Sequence, residues 1–381
     1  MRIILIGNFL PDKQESMERF AQMLNAEFKK KGYSVDLWRP KPLFSYGAKS
    51  TIMGMGKWLG YIDKWLLFPI VLRFKLLTDK ATTATTRFHI CDHSNSPYLQ
   101  HLPLNLTSIT CHDVLAIRGG LGFSDAYVPA SKMGRILQKW ILNNLLKAKR
   151  LATVSKFTYE QLLELADQPI AADKYWTVIY NSFNGKFNLQ QKKESVSILS
   201  AVDVDTDMPY ILHVGSSLTR KNRKLLLDMV ADLGDRWKGR ICFAGEALED
   251  TLLEHATRLG LSKRIYSVVR PSHRTLVALY NLCHAFIFPS FSEGFGWPVI
   301  EAQACGAPVI ASNLAPMPEI SGGAAIHADP LEPKQFAEAL LLLQNPAIRN
   351  ELVIKGNENI KRFETNQIIA AYLKLLNLSS S

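Results

Sequence analysis

Several things are scarce or missing in this chain, and each absence removes a class of function. Only five cysteines occur, Cys91, Cys111, Cys242, Cys283 and Cys305. They are scattered, odd in number and never at zinc-ligand spacing, which argues against a disulfide framework or zinc site and for buried thiols in a reducing compartment, the cytoplasm. No stretch patterned as a strand is followed by G-x-G-x-x-G, so a dinucleotide oxidoreductase is not expected. Low-complexity tracts, sustained heptads and short repeats are absent. The most apolar stretch, "GKWLGYIDKWLLFPIVLRFKLL", carries Asp63, Lys64, Arg73, Lys75 and Pro69 and does not read as a bilayer-spanning helix. The opening "MRIILIGNF" is too short and too poorly flanked for a secretory leader and reads as a first strand.

Acidic charge is scarce on one side only. Residues 1–190 carry 25 Lys and Arg against 14 Asp and Glu, a net of +11, whereas residues 191–381 carry 20 against 20. The whole excess lies in the first half, which suits an anionic partner such as a membrane surface; an ordinary solvated basic surface would look the same.

What is present is a globular composition, 47% hydrophobic and 21% charged over 381 residues, enough for two domains. "RIILIGNF", a helix with Phe20, Met23, Leu24 and Phe28 on one stripe, and "YSVDLWRP" open as strand, helix, strand. "RFHICDH", "SITCHDV", "RLATVSKF" and "WTVIYNSFN" continue the strands. Residues 187–208 lose periodicity and read as the linker. The second half restarts at "PYILHVGSS", with a helix from about Lys221, and alternates onward through "RICFAGE", "RIYSVV", "HAFIFPS", "PVIAS" and "AAIHA". The alternation predicts an α/β chain of two Rossmann-like, doubly wound parallel-sheet domains, 1–190 and 191–381, facing a central cleft, with ligands at the carboxyl ends of the strands.

Chemistry concentrates in "SFSEGFGWPVIEAQACGAPVIASN". Pro298 suits a helix start, and Gly306 with Pro308 suits its stop. The loop before the helix is an anion site by its backbone N–H groups and helix dipole, with Gly294 and Gly296 allowing close approach. Glu293, and Glu301 about one turn into the helix, are hydrogen-bond acceptors for two polyols. An anion between two polyols describes a sugar nucleotide. "ILHVGSSLTRKN" adds Gly215, Ser216, Ser217 and the cations Arg220 and Lys221, which suit a diphosphate leaving group.

The motifs "EGFGWPVIE", "EAQACGAPVIASN" and "PEISGGAAIHADP", with "HVGSSLTRKN", "LYNLCHAFIFPS", "TCHDV", "ATVSKFT" and "VIYN" in order over nearly the whole chain, resemble the retaining glycosyltransferases of family four, which have the GT-B fold. Bacterial exopolysaccharide enzymes, cyanobacterial ones among them, look most similar. The resemblance implies that Glu293 binds donor-sugar hydroxyls with the backbone of Phe295, Gly296 and neighbouring Trp297, Glu301 the ribose, Lys221 the diphosphate and Arg270 the base. It implies that His112 lies near the anomeric carbon. It implies an acceptor domain followed by a donor domain, the last helix packing back on the first domain. Ser216 stands where the family often has arginine, a role expected of Arg220. Glu15 and Ser16 replace a pair of glycines, so Glu15 is expected to face acceptor or solvent. Asp92, His93 and Asp113 end first-half strands; Asp92 and Asp113 are the nearest candidates for a nucleophile and equally plain turn caps.

The resulting expectation is a retaining hexosyltransferase using a UDP-sugar, glucose-type donor and a saccharide or lipid-linked acceptor, with front-face attack and no cofactor, metal or nucleic acid. A nucleotide-sugar epimerase on the same plan, or a non-catalytic nucleotide- or polysaccharide-binding protein, stays open. The Trp58–Leu77 segment is either an interfacial contact with an anionic membrane or a buried helix.

Overall fold

The structure is a computed structural model that describes residues 1–78, 85–166 and 170–378. The chain divides into two compact units, one of Met1–Phe123, Val128–Asn184 and Thr365–Ser381, the other of Ser124–Tyr127 and Gly185–Glu364.

The first unit is built on β1 (Arg2–Ile6), β2 (Ser34–Trp38), β3 (Thr86–Ile90), β4 (Thr107–Cys111), β5 (Arg150–Thr153) and β6 (Tyr175–Val178). They form one six-stranded sheet in the order β2-β1-β3-β4-β5-β6, every pair parallel. The run Ile3–Ile6 is apolar throughout because both sheet faces are covered. Ile4 and Ile6 join Phe88, Ile90 and Ile109 on one face. Ile3 and Leu5 meet Phe20, Leu24 and Phe28 of the helix Glu15–Lys30 and Ile369 and Tyr372 of the helix Thr365–Leu375 on the other. Each such buried side chain contributes about 1.5–3 kcal/mol of apolar burial.

The second unit contains β7 (Tyr210–Gly215), β8 (Arg240–Gly245), β9 (Ile265–Val269), β10 (Ala285–Phe288), β11 (Val309–Ser312) and β12 (Ile326–Ala328). Their order is β12-β11-β10-β7-β8-β9, again parallel. This is the Rossmann order, whereas the first sheet has the flavodoxin-like order. In each, chain direction reverses beside the first strand. The two switch points therefore lie at β1/β3 and at β7/β10, where loops diverge and leave a crevice.

Three local expectations fail. The stretch 187–208 is not simply irregular: it holds the helix Lys192–Ser200, whose Ile198 and Leu199 are buried in the second unit's core. Its apolar residues are too few to show a period among the polar ones. The helix after β7 starts at Lys224, not Lys221; Arg220 and Lys221 occupy a 3-10 turn, Thr219–Lys221. Asn222 interrupts with φ of 51°, donating to the carbonyls of Pro289 at 3.2 Å and Pro330 at 2.7 Å. Finally, Pro69 does not end its helix. The helical path runs on from Gly54–Ile62 through a π turn, Asp63–Leu67, into Phe68–Thr78, and Pro69 comes directly after that turn, where the α-helical ladder is already interrupted.

Candidate functional site

At the β7/β10 switch point, the loop after β10 brings Glu293 against the turn after β7. Lys221 Nζ lies 2.6 Å from Glu293 Oε1, and Arg220 Nη1 lies 2.9 Å from Glu293 Oε2. Arg220 Nη1 also donates to the Ser292 carbonyl at 3.0 Å, and the Phe291 N–H donates to the Arg220 carbonyl at 2.8 Å. Glu293 and Lys221 are both buried. Burial alone would raise the Glu293 pKa, but the Lys221 ammonium and the Arg220 guanidinium overcome it and hold the carboxyl down to about 2. Burial lowers the Lys221 pKa, and the attraction of Glu293 only partly opposes this. The cluster is two cations on one carboxylate, formally +1, in a setting where charge is poorly solvated.

His213, beneath this turn, was not singled out from the sequence. Its Nδ1 donates to the Ile287 carbonyl at 3.1 Å, and burial pushes its pKa down to about 3, so the ring is neutral. Its ring stacks on Phe288, with centroids 6.4 Å apart, and Lys221 Nζ lies 5.0 Å from the centre of the Phe288 ring. A Cβ on Gly215 would sit 3.3 Å from His213 Nε2 and 3.6 Å from Lys221 Cδ, so glycine there leaves room for the lysine stem. Ser217 donates to Glu246 Oε2 through both N–H and hydroxyl, each at 2.7 Å. Glu246 follows β8 directly and was legible only as the "GE" ending that strand. Arg270 lies at the same sheet edge, exposed, its N–H donating to the Gly245 carbonyl at 2.7 Å.

The helix Trp297–Ala304 opens at Gly296, whose φ is 99°. The positive φ favours glycine here, and a Cβ at Gly296 would lie 2.6 Å from the mobile end of the Met317 side chain, Cε. Phe295 is buried, with its ring edge against Trp297 and Phe363. Glu301 is buried in the second turn and accepts from the Tyr280 hydroxyl at 3.0 Å. Tyr280 sits inside the helix His273–Leu282 and reads as core from sequence. Pro298 is the second helical residue, one later than its expected place, and Gly306 (φ 72°) follows the end. Ser216 is half-buried at the end of β7.

The β1/β3 switch point is built differently. Asp92 Oδ2 accepts from Asn8 Nδ2 at 2.6 Å and from the Ser94 hydroxyl at 2.7 Å. Its Oδ1 accepts from Ser94 N–H at 3.1 Å and lies 3.1 Å from His93 Nδ1. Burial opposes the charge, but His93 and these donors hold Asp92 well below the usual carboxylate range. Burial alone would lower His93, and Asp92 raises it above the usual histidine value. Asn95 Nδ2 donates to Asn8 Oδ1 at 2.8 Å. His112 is buried; its Nε2 donates to the Cys91 carbonyl at 2.9 Å and its ring edge meets Phe20. Burial lowers the His112 pKa. Asp113 caps a turn by accepting from Leu115 N–H at 3.0 Å. Glu15 and Ser16 are exposed at the start of the Glu15–Lys30 helix. Glu15 lies 3.8 Å from Arg19 and, with Asn8, Gln14 and Glu18, lines a pocket of about 410 Å³.

The Trp58–Leu77 segment has two faces: Phe68 and Leu72 are buried in the first unit's core with Trp65 and Leu76 packed against it, while the other face is exposed. Leu66, Ile70, Phe74 and Leu77 are 63, 59, 65 and 86% exposed, at spacings that put them on one helical stripe. Trp58, Met55, Ile52, Met53 and the loop residues Leu43, Phe44 and Tyr46 are exposed too. Two of its four interrupting charges, Asp63 and Lys64, turn inward. Asp63 is buried and accepts from the backbone N–H groups of Phe44 at 2.9 Å and Ser45 at 3.0 Å. Lys64 Nζ pairs with Asp12 at 2.6 Å. Among the described residues, no helix is long and apolar enough to cross a membrane. All five cysteines are buried and free.

Comparison with known proteins places this geometry. Residues 198–359 match the family model "Glycosyl transferases group 1". Over 296 residues, 74% of each chain, the sequence is 29% identical to O-antigen chain mannosyltransferase B of Escherichia coli. It is 26% identical to the O-antigen chain mannosyltransferase RfbU of Salmonella typhimurium, over 82% of this chain and 77% of that one. Among solved structures, sucrose-phosphate synthase from Thermosynechococcus elongatus superposes with a TM-score of 0.75 at 18% identity, covering 99% of this chain and 98% of that one. Anabaena HepE in complex with UDP and glucose gives 0.69 at 15%, covering 99% of each. These likenesses show the fold, GT-B, two α/β units each on a parallel sheet. Arg220, Lys221, Glu293 and Glu301 all lie within the stretch that matches this family model.

Proposed function

We propose that this protein is a glycosyltransferase that moves a hexose, with retention, from a nucleoside diphosphate sugar to a saccharide or lipid-linked acceptor in polysaccharide synthesis. The observation that carries the reading is the convergence of Arg220 and Lys221 on Glu293 at the β7/β10 switch point, inside the matched domain. The cations are placed to stabilise charge developing on a diphosphate leaving group. Glu293 takes the sugar hydroxyls, Glu301, steadied by Tyr280, the ribose, and Arg270 the base. In the first unit His112 is the residue assigned beside the anomeric carbon, and Asp92, His93 and Asn8 the acceptor side, with Glu15 at the neighbouring pocket and Ser16 next to it in sequence. Asp92 is fully engaged by its neighbours, which suits positioning rather than nucleophilic attack and favours a front-face displacement. The protein uses no resident cofactor or metal in this reading.

The sequence pointed to a UDP-glucose type donor, and the mannosyltransferase names of the relatives put a mannosyl donor beside it. Turnover of UDP-glucose and GDP-mannose, with and without oligosaccharide or lipid-linked acceptors, separates the two and also tests the class. Transfer only with acceptor, keeping the donor's anomeric configuration by NMR, is the expected result. Conversion of the sugar alone would mean an epimerase, and binding without turnover a non-catalytic protein.

The exposed stripe Leu66–Ile70–Phe74–Leu77, with Trp58 and the Leu43–Tyr46 loop, is assigned to an anionic membrane surface on the cytoplasmic side, where a lipid-linked acceptor lies. The charge excess of the first half, Lys41, Lys49, Lys57, Arg73 and Lys75 among it, complements that surface. Lys64, paired internally, is outside this set. Flotation with phosphatidylglycerol vesicles against phosphatidylcholine vesicles at low and high salt tests it. Self-association or a protein partner wins if vesicles of both kinds are ignored.

A further inference from the structure

We propose that Glu293 and the donor's diphosphate compete for the same two cations, so that sugar recognition by Glu293 is released only when the diphosphate arrives. This rests on the assignment of Arg220 and Lys221 to the diphosphate. Without ligand, each carboxylate oxygen is engaged by a different cation, Oε1 by Lys221 at 2.6 Å and Oε2 by Arg220 at 2.9 Å. Held by both cations, and kept ionised with help from the Ser290 side chain, the carboxylate is committed to its neighbours and offers a sugar hydroxyl only its remaining lone pairs. Glu293 is 7% exposed and Lys221 9%, so water does little to replace either partner.

Protonation is no way out of the pairing, because the two cations keep Glu293 ionised far below neutral pH. Displacement is. A diphosphate carries more charge than a carboxylate and has oxygens enough for both cations, and Arg220 keeps one anchor in the Ser292 carbonyl, 3.0 Å away. Once the cations turn to phosphate, Glu293 becomes an acceptor-rich, desolvated carboxylate that must find hydroxyl donors, and a bound hexose supplies them. A free sugar meets a blocked carboxylate, and a nucleoside diphosphate without its sugar leaves Glu293 buried and undersatisfied. The arrangement thereby favours the intact donor over either fragment.

The consequence runs against intuition. Removing Glu293 should strengthen diphosphate binding, because two buried cations are left uncompensated and an anion relieves them. The experiment is calorimetric titration of inorganic pyrophosphate and UDP into the wild type, Glu293→Gln, Glu293→Asp and Lys221→Met. Glu293→Gln should bind pyrophosphate about tenfold tighter or more, with a steeper salt dependence, while transfer is lost; Glu293→Asp, too short to span both cations, should fall between. Unchanged or weaker pyrophosphate binding in Glu293→Gln, or in Glu293→Asp should the former not fold, overturns the competition. Lys221→Met is the separate control. If it binds pyrophosphate as well as the wild type, the diphosphate assignment itself fails, whatever Glu293 does.

Discussion

Each switch point holds a buried carboxylate in the loop after a strand, Asp92 and Glu293, and the two are compensated in opposite ways. Asp92 in the first unit is satisfied by an amide, a hydroxyl, a backbone N–H and a neighbouring histidine. Glu293 in the second is satisfied by two permanent cations. The first arrangement is complete in itself: the carboxylate is matched by its donors and by His93, whose pKa it raises, and no surplus positive charge is left over. The second leaves a surplus positive charge aimed at the crevice and invites an anion. Surface charge runs the other way, since the first half carries +11 and the second is neutral. The basic excess of the first half is therefore separate from the Arg220–Lys221 pair, which lies in the second.

The comparison breaks most visibly at Lys221. Lys221→Met is expected to lower kcat by a factor of about 100 or more, the scale of losing one charge-stabilising donor, with Arg220→Ala behind it; steady-state kinetics with the best donor measures both. Asp92→Asn should instead cost stability, about 1–3 kcal/mol, because an amide presents N–H where the pocket supplies donors. Urea unfolding should show that loss while UDP affinity stays at the wild-type value. Phe74→Glu combined with Leu77→Glu should reduce binding to anionic vesicles about tenfold or more and leave transfer to a soluble acceptor unchanged. Tyr280→Phe removes one hydrogen bond to Glu301 and should weaken UDP by about two- to tenfold.

Acid sharpens the same contrast. The folded pKa of Glu293 is depressed to about 2 from an unfolded value of about 4.3. Its contribution to stability is thus present above about pH 4.3 and lost as pH falls through about 2. Glu293→Gln should flatten that part of the pH–stability curve and leave the share belonging to Asp92.

Much of this was legible in the sequence where one residue signals its own role. Strand and helix alternation declared two parallel sheets, and Arg220, Lys221 and Glu293 stood out as charges in loops after apolar strands, with Glu301 in the helix that follows. The failures share a cause: they depend on partners distant in sequence. Asn222 breaks the expected helix because Pro289 and Pro330 offer it carbonyls. Tyr280 looks like any core aromatic until Glu301 is seen against it. Asp63 and Lys64 appeared to interrupt an apolar face, but both point inward, to the Phe44–Ser45 backbone and to Asp12. Polarity along the chain does not tell which way a side chain turns.

One measurement tests the central claim most directly, a crystal structure of the protein with UDP. The diphosphate oxygens should lie within hydrogen-bond distance of Lys221 Nζ and the Arg220 guanidinium, with Glu293 drawn off both cations and Glu301 at the ribose. A rival cavity of about 770 Å³ exists in the same unit, lined by Arg223, Lys224, Asp228, Glu249, His255 and Arg258. Nucleotide seated there, with the Lys221–Glu293 and Arg220–Glu293 pairs intact, would contradict the assignment.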